Sequence, residues 1–483
     1  MMQVVATQGL HRESDWSSVH AVVAGIGVAG YAAADALMQL GAQVTIIDAT
    51  DGDRQRERAG ILETLGACVK LGDAAALPAG DLLVVSPGLR PSDPWIAQAN
   101  AAGIPVWGEL ELAWRLRPLQ DPAPWLLVTG TNGKTTTTLM LESMLRADGR
   151  RAMAAGNIGT SLVDVVMHER IDVLAVEVGA PQLPFVHSIS PLAAVCLNIA
   201  EDHVDHFGTF DAYVSTKARI YADTQVAAIF NAEDEATLRM VEEADVIEGC
   251  RAIGFTLGIP DLSMLGVVDD VLVDRAFIPD RQRSAVELAA VRDVQPAAPH
   301  NVANALAAAA LARAYGVAPA AVRDGLHAFK PAGHRIAEVG EVNGVRYVDD
   351  SKATNAHAAL TSIHAYSSVV WIAGGLAKGQ SFDDLVQQAV PRLRGVVLLG
   401  QDRDRIANAL RAHARGVPVV EVSDAGAGAM AQVVQAAAGL ALPGDTVLLA
   451  PGCASWDMFR DYGHRGDAFA EAVNAMARER ASG

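Results

Sequence analysis

Along most of the chain, short unbroken apolar runs end in a glycine or polar turn and lead into an alanine-rich stretch. The pattern recurs at AVVAGIGVAG, VTIID, DLLVVSPG, WLLVTGTNGK, VLAVEVG, AAVCLNIAEDH, VAAIFNAED, VVWIAGG, VVLLGQD and TVLLAPG. Strands that are apolar throughout, rather than at alternate positions, are buried on both faces. Parallel sheets covered by helices meet that condition, so an α/β fold is expected. Ligands in such folds sit beyond the carboxyl ends of the strands, so the polar residues in these turns carry the chemistry. At 483 residues the chain exceeds one core, and about three domains are expected. Proline-bearing linkers at 117–124 (RPLQDPAP) and 330–335 (KPAGHR) divide it into 1–124, 125–331 and 332–483. Residues 256–295 read as an irregular strand pair.

The net charge of −18, from 56 acids against 38 bases, argues against bulk nucleic-acid or anionic-membrane binding. A local site for small anions is still allowed. Cys68, Cys196, Cys250 and Cys453 are far apart and form no CxxC, as expected of packed thiols in a reducing cytosol. The first twenty residues lack the apolar centre of an export signal. Gly25, Gly27, Gly30 and Asp35 break the apolar run at 21–40, which reads as strand, turn and helix rather than a membrane span. A cytoplasmic monomer is expected.

GIGVAG (25–30), with Asp48 ending the next strand, is a tight turn that aims a helix N-terminus at a phosphate. It suits a dinucleotide or a UDP group, and equally a purely structural turn. TGTNGKTT (129–136) is more specific, although two residues rather than four separate its glycines. Amides of Asn132 to Thr135 would form an anion nest, Lys134 a point charge for β- and γ-phosphates, and Thr135 or Thr136 a hydroxyl for Mg²⁺. Glu177, Asp202, His203, Asp205 and His206 follow at strand ends. Oxygen donors beside a phosphate loop favour Mg²⁺ over a zinc hydrolase site. For Asp205 and His206 a solvated helix start is the simpler reading. Lys217 reads by default as a solvated helix lysine. HNVANALAAAA (300–310) places Asn301 and Asn304 on one helix face or at a cap. In the last third, His334, Arg335, Asp349, Asp350, Lys352, Lys378, Ser455, Asp457, Tyr462 and Arg465 gather basic and hydroxyl groups at strand ends, a pattern suited to capturing a small carboxylate.

GTNGKTT, GNIG (156–159), NIAEDH, Lys217-Ala-Arg, HNVAN, GHR and DDSKATN occur in the order found in Mur ligases, the ATP-dependent amino-acid ligases of peptidoglycan synthesis. The resemblance covers essentially the whole chain. DDSKATN, the lysine of AGGLAKG and CASWDMF with its following RG look most like the D-glutamate-adding branch. The Asp-Asn-Pro-Arg signature of the diaminopimelate-adding branch is absent.

The resemblance implies Rossmann-like first and last domains around a central P-loop-type ATP-binding domain with a mostly parallel sheet. Its substrates would be UDP-N-acetylmuramoyl-L-alanine, D-glutamate and ATP. Gly25, Gly27, Val28, Ala29, Gly30, Asp48, Ala49, Thr50, Ser86 and Gly88 would bind UDP-sugar, with Asn157 and His203 at its muramoyl-alanine end. Gly130, Thr131, Asn132, Gly133, Lys134, Thr135, Thr136, Asn301, Asn304, Arg335 and Asp350 would bind ATP. Thr135, Glu177, His203 and Lys217, the last carrying a carbamate, would hold magnesium at two sites. Lys352, Thr354, Lys378, Ser455 and Tyr462 would hold D-glutamate. Lys134, Lys217, His203 and Arg335 would be catalytic.

The chain departs from the family at one turn. Where Mur ligases usually carry Ser-Ser-Phe-Gln, Gly179-Ala180-Pro181-Gln182 follows Glu177 and Val178. Two rivals also remain. A dinucleotide-dependent dehydrogenase would leave TGTNGKTT unexplained, and a nucleotide-switch protein would need no amino acid.

Overall fold

A computed structural model describes residues 7–72, 76–201, 207–331, 333–424, 426 and 428–482. The first sheet contains β1 (His20–Ala24), β2 (Gln43–Asp48), β3 (Cys68–Leu71), β4 (Leu82–Val85) and β5 (Val106–Gly108), all parallel, in the order β3-β2-β1-β4-β5. Helices α1 (Val28–Gln39), α2 (Asp53–Thr64), α3 (Pro94–Ala101) and α4 (Glu109–Arg115) follow four of these strands. The strand order reverses at β1, and the crevice there is where this topology admits ligands.

The second sheet is built on β6 (Trp125–Thr129), β7 (Ala152–Gly156), β8 (Val173–Glu177), β9 (Ala193–Cys196), β10 (Ala227–Asn231) and β11 (Arg251–Phe255). It continues through β12 (Met264–Val268), β13 (Val271–Asp274) and β14 (Val286–Ala290), in the order β14-β13-β12-β11-β10-β9-β6-β8-β7. β6, β8 and β9 are buried along their whole length, as their unbroken apolar runs require. Only β12, β13 and β14 meet antiparallel partners. The expected irregular pair within 256–295 is thus a three-strand extension. Its β12–β13 hairpin turns on Asp269 and Asp270, both at positive φ, the geometry of a two-residue primed turn without glycine.

One face of this sheet is covered by α5 (Lys134–Ala147) and the helices Pro299–Tyr315 and Pro319–Ala328. The other shares a core with the first sheet, through α1, α4 and α6 (Leu162–His168). Two buried carboxylates reinforce that join. Glu109 accepts hydrogen bonds from Ser161 Oγ (2.7 Å) and Leu162 N (2.9 Å) at the start of α6. Glu111 accepts from Ser188 Oγ (2.6 Å) and His187 N (2.8 Å). Burial raises the Glu109 carboxyl, while its acceptor bonds at the amino end of α6 oppose the rise. The first two sheets accordingly form one compact unit, and the third sheet belongs to a second.

That third sheet contains β15 (Ala337–Val342), β16 (Val345–Asp349), β17 (Val369–Gly374), β18 (Leu393–Leu399), β19 (Val419–Glu421) and β20 (Thr446–Leu449), in the order β15-β16-β20-β17-β18-β19. Only the β15–β16 pair is antiparallel. Apolar clusters line both faces. All four cysteines are free thiols; Cys196 and Cys453 are buried, whereas Cys68 is exposed rather than packed. Among the described residues no helix is long and apolar enough to cross a membrane.

Candidate active site

The carboxyl ends of β1, β2 and β4 open onto a cavity of about 740 Å³. Gly25, Gly27, Val28, Ala29, Asp48, Ala49, Thr50, Ser86 and Gly88 line it. Gly30 stands behind the turn: a Cβ there would lie 1.8 Å from the Gly25 carbonyl oxygen, so only glycine lets α1 pack this close. Asp48 braces the turn with both oxygens, accepting Ile26 N at 2.9 Å and Thr50 N at 2.8 Å. In a dinucleotide fold that carboxylate holds ribose hydroxyls. Here each of its oxygens already accepts one main-chain amide.

In the second sheet, β6 runs into the loop Gly130–Gly133 and α5 begins at Lys134. Gly133 has φ +85°, and a Cβ on it would fall 2.3 Å from Asn304 Oδ1. The loop is therefore shaped for glycine twice over, by conformation and by contact. Thr131 N donates to the Asn198 carbonyl and Asn132 N to Asn198 Oδ1, both at 2.9 Å. Of the amides expected to form an anion nest, Asn132 N is thus engaged by Asn198. The opening amides of α5 have no acceptor within the helix. Asn198 went unremarked in the sequence, although it closes the run AAVCLN.

Lys134 Nζ donates to the carbonyls of Gly130 and Thr131, each at 2.8 Å. Thr135 Oγ1 donates to Glu177 Oε2 (2.6 Å), and Asn157 Nδ2 to Glu177 Oε1 (2.9 Å). The ends of β6, β7 and β8 thus converge on one buried carboxylate. Thr136 lies half-buried in the same first turn. Lys217 is 1% exposed, which corrects the solvated reading. Its Nζ donates to the Gly130 carbonyl (2.9 Å) and Thr129 Oγ1 (3.2 Å), and sits 5.1 Å from the Tyr213 ring. Tyr213 in turn bonds Thr131 Oγ1 at 3.0 Å. Burial pushes the neighbouring Cys196 thiol up to about 11, so it stays protonated.

Asp202, His203, Asp205 and His206 lie outside the described residues. Among the described residues no three His, Cys, Asp or Glu side chains gather as a metal cage. The donors beside the loop are a carboxylate and hydroxyls. Such a set fits a hard cation that takes its remaining oxygens from phosphate.

Asn304 is held against the loop at Gly133. Asn301 is buried, and its Nδ2 donates to the carbonyls of Gln295 and Pro296 at 3.0 Å. The departing turn forms a 3-10 segment, Ala180–Phe185, with Pro181 in its first turn. Gln182 Oε1 accepts Gly179 N at 2.8 Å, while its buried Nε2 has no partner among the described atoms.

In the second unit, Asp349 Oδ2 and His334 Nδ1 are 2.6 Å apart. Asp350 accepts from Ser362 Oγ and from Ile336 N (3.3 Å). Burial pushes its carboxyl up to about 6, opposed by Ser362 and by the Arg335 guanidinium. Lys352 Nζ lies 4.0 Å above the Tyr462 ring, and Lys378 Nζ 5.1 Å from the Trp456 ring. Thr354 is half-buried in the loop of Lys352, and Ser455 is buried beside Trp456, which is 66% exposed. Trp456 was not singled out in the sequence.

Arg465 departs from the expected carboxylate-capturing group. It is 1% exposed and spends its guanidinium on Ser351 Oγ (2.9 Å), the Ser351 carbonyl (2.7 Å) and the Cys453 carbonyl (3.1 Å). It ties the loop of Lys352 to the loop of Ser455. Asp457 is likewise a brace, accepting Gln401 N at 2.7 Å.

Three family models match the chain: the Mur ligase MurD-like N-terminal domain at 19–108, the Mur ligase middle domain at 128–312, and the Mur ligase glutamate ligase domain at 334–453. The UDP-N-acetylmuramoylalanine--D-glutamate ligase of Streptomyces coelicolor is 58% identical over 96% of this chain and 99% of its own length. That of Thermobifida fusca is 54% identical over 94% and 98%. Among solved structures, the UDP-N-acetylmuramate-alanine ligase of Thermotoga maritima superposes with a TM-score of 0.56 at 19% identity, covering 95% of this chain and all of that one. At that identity the likeness shows the fold alone.

Proposed function

The chain belongs to the Mur ligase family, and on that premise we propose how its own residues join D-glutamate to UDP-N-acetylmuramoyl-L-alanine at the expense of ATP. The reaction is a step of peptidoglycan precursor synthesis, which we assign to the cytoplasm. The observation that carries the mechanism is the line Thr135–Glu177–Asn157, which links the phosphate loop to a neighbouring strand end through one buried carboxylate.

A carboxylate resists attack by an amine. The alanine carboxylate oxygen therefore first attacks the γ-phosphorus of ATP, and ADP leaves. The resulting acyl phosphate is attacked at carbon by the neutral amine of D-glutamate. The tetrahedral adduct expels phosphate, the nitrogen loses its proton, and an amide remains. The protein's part is placement and charge neutralisation. The amides opening α5 cradle the β- and γ-phosphates, and Lys134 turns from its loop carbonyls to the transferring group. Arg335 adds charge on the nucleotide side, with Asn301, Asn304 and Asp350 also contacting ATP. Asn157 and His203 hold the acceptor carboxylate. Magnesium, when bound, neutralises phosphate charge, and Thr135, Glu177, His203 and Lys217 would hold it. Lys217 takes part as a carbamate, formed when its neutral amine adds CO₂ and releases a proton. Lys352, Thr354, Lys378, Ser455 and Tyr462 bind D-glutamate and thereby select it.

The test is phosphate release with ATP, UDP-N-acetylmuramoyl-L-alanine and one amino acid at a time. D-Glutamate should support turnover; L-glutamate, L-lysine and meso-diaminopimelate should not. Release that is indifferent to the amino acid would point instead to a nucleotide switch.

A further inference from the structure

The cavity at β1, β2 and β4 poses a charge problem. A nucleoside diphosphate is strongly anionic, yet among the described residues none that lines the cavity is basic. Its two acidic residues are spent on main-chain amides, Asp48 on Ile26 and Thr50, and Asp93 on Trp95 at the start of α3. The amino end of α1, capped at Gly27, supplies only about half a positive charge.

One guanidinium meets this turn from outside. Arg58, on α2, donates from Nη1 to the Ile26 carbonyl at 2.9 Å, one residue before the cap of α1. It is half-buried, and among the described residues no carboxylate pairs with it. Arg56, two residues earlier on the same helix, is by contrast paired with Asp51 at 2.7 Å. A guanidinium has five N–H donors in a rigid fork, so the bond to Ile26 aims the group while leaving donors for an anion. The Ile26 amide is meanwhile fixed by Asp48. The peptide bonds on both sides of Ile26 are thus anchored, and the guanidinium is held at the carbonyl one residue before the cap of α1.

We propose that Arg58 is the cation that binds the diphosphate of the nucleotide substrate. This rests on the nucleotide-sugar function above and adds a residue outside its motifs.

The test compares UDP and uridine as competitive inhibitors against UDP-N-acetylmuramoyl-L-alanine, for the wild type, Arg58→Ala and Arg58→Lys. Losing one charged hydrogen bond to phosphate should raise the UDP inhibition constant about tenfold or more in Arg58→Ala. The uridine constant should move less than about twofold, since uridine offers no phosphate to contact. Arg58→Lys, which keeps the charge without the fork, should recover only part of the UDP affinity, and salt should weaken UDP binding more in the wild type than in Arg58→Ala. Equal losses for uridine and UDP would make Arg58 only a brace of Ile26 and overturn the proposal. So would unchanged UDP binding in Arg58→Ala, with the nucleotide-sugar function left standing. A wild type that UDP does not inhibit would overturn both.

Discussion

At Lys217 the local sequence and the fold disagree most. A lysine in DAYVSTKARIY has nothing around it to suggest burial, yet its amine ends between the Gly130 carbonyl and Thr129 Oγ1. A buried lysine beside a phosphate loop serves the proposed carbamate, which turns a cation into a metal-facing carboxylate. Lys217→Ala should lose nearly all turnover, and added formate or acetate should restore part of it by replacing the carbamate oxygens. Absence of any rescue at saturating carboxylate would remove the carbamate from the mechanism. Asp350 makes a second prediction at this scale. Its carboxyl is raised to about 6 by burial, so the folded state holds a proton that the unfolded chain has released. The stability this gives is complete below the ordinary carboxylate range near 4 and is lost as pH rises through about 6. Above that, a charged carboxylate is confined in the core. In Asp350→Asn the amide can keep both neighbours, since Ser362 Oγ also donates to the Ala358 carbonyl and is free to accept. Unfolding across pH 4 to 8 should show the variant more stable than wild type by about 1–3 kcal/mol at the alkaline end and equal at the acid end. A variant that is less stable at pH 8 would contradict the sign.

At the scale of elements, what could be read in advance depended on how local the cause was. The glycines of GIGVAG and TGTNGK mark places where backbone must turn or approach closely, and that constraint is visible in one stretch of chain. A strand pair was legible within 256–295, but the β12–β13 turn was not, because Asp269 and Asp270 adopt positive φ without the glycine that usually announces it. Glu109 and Glu111 gave no signal, because their partners lie 52 to 77 residues away in chain. Arg465 carried a visible charge but not its burial, and the two imply opposite roles. The turn after Glu177 was legible as a departure; in the structure Pro181 lies in the first turn of a 3-10 segment, and Gln182, which the departure leaves in place, caps Gly179. A Cβ on Gly179 would meet Asn157 and Gln182 at 3.4 Å, ordinary contact, so serine fits there. Changing Gly179-Ala180-Pro181 to Ser-Ser-Phe should therefore leave the fold intact. It should alter the KM for UDP-N-acetylmuramoyl-L-alanine and spare that for D-glutamate. An effect on D-glutamate alone would place this turn in the wrong subsite.

At the scale of the whole molecule, three sheets supply three sets of strand ends, and the proposal gives each one substrate. The first holds the nucleotide of the sugar, the second the ATP phosphates, and the third D-glutamate. Lys378→Ala should raise the KM for D-glutamate about 10- to 150-fold, the cost of one charged hydrogen bond, and leave the other two nearly unchanged. Steady-state kinetics with each substrate varied in turn would check this, and a matching rise for ATP would break the division. The chemistry that joins the three sites is most directly visible in the fate of oxygen. UDP-N-acetylmuramoyl-L-alanine labelled with ¹⁸O in its alanine carboxylate should be incubated with ATP and D-glutamate, and the phosphate and product weighed by mass spectrometry. The ligation proposed here predicts one ¹⁸O in the released phosphate, one retained in the new amide, and neither product without D-glutamate. Unlabelled phosphate would contradict it, because ATP would then have been cleaved without passing through an acyl phosphate.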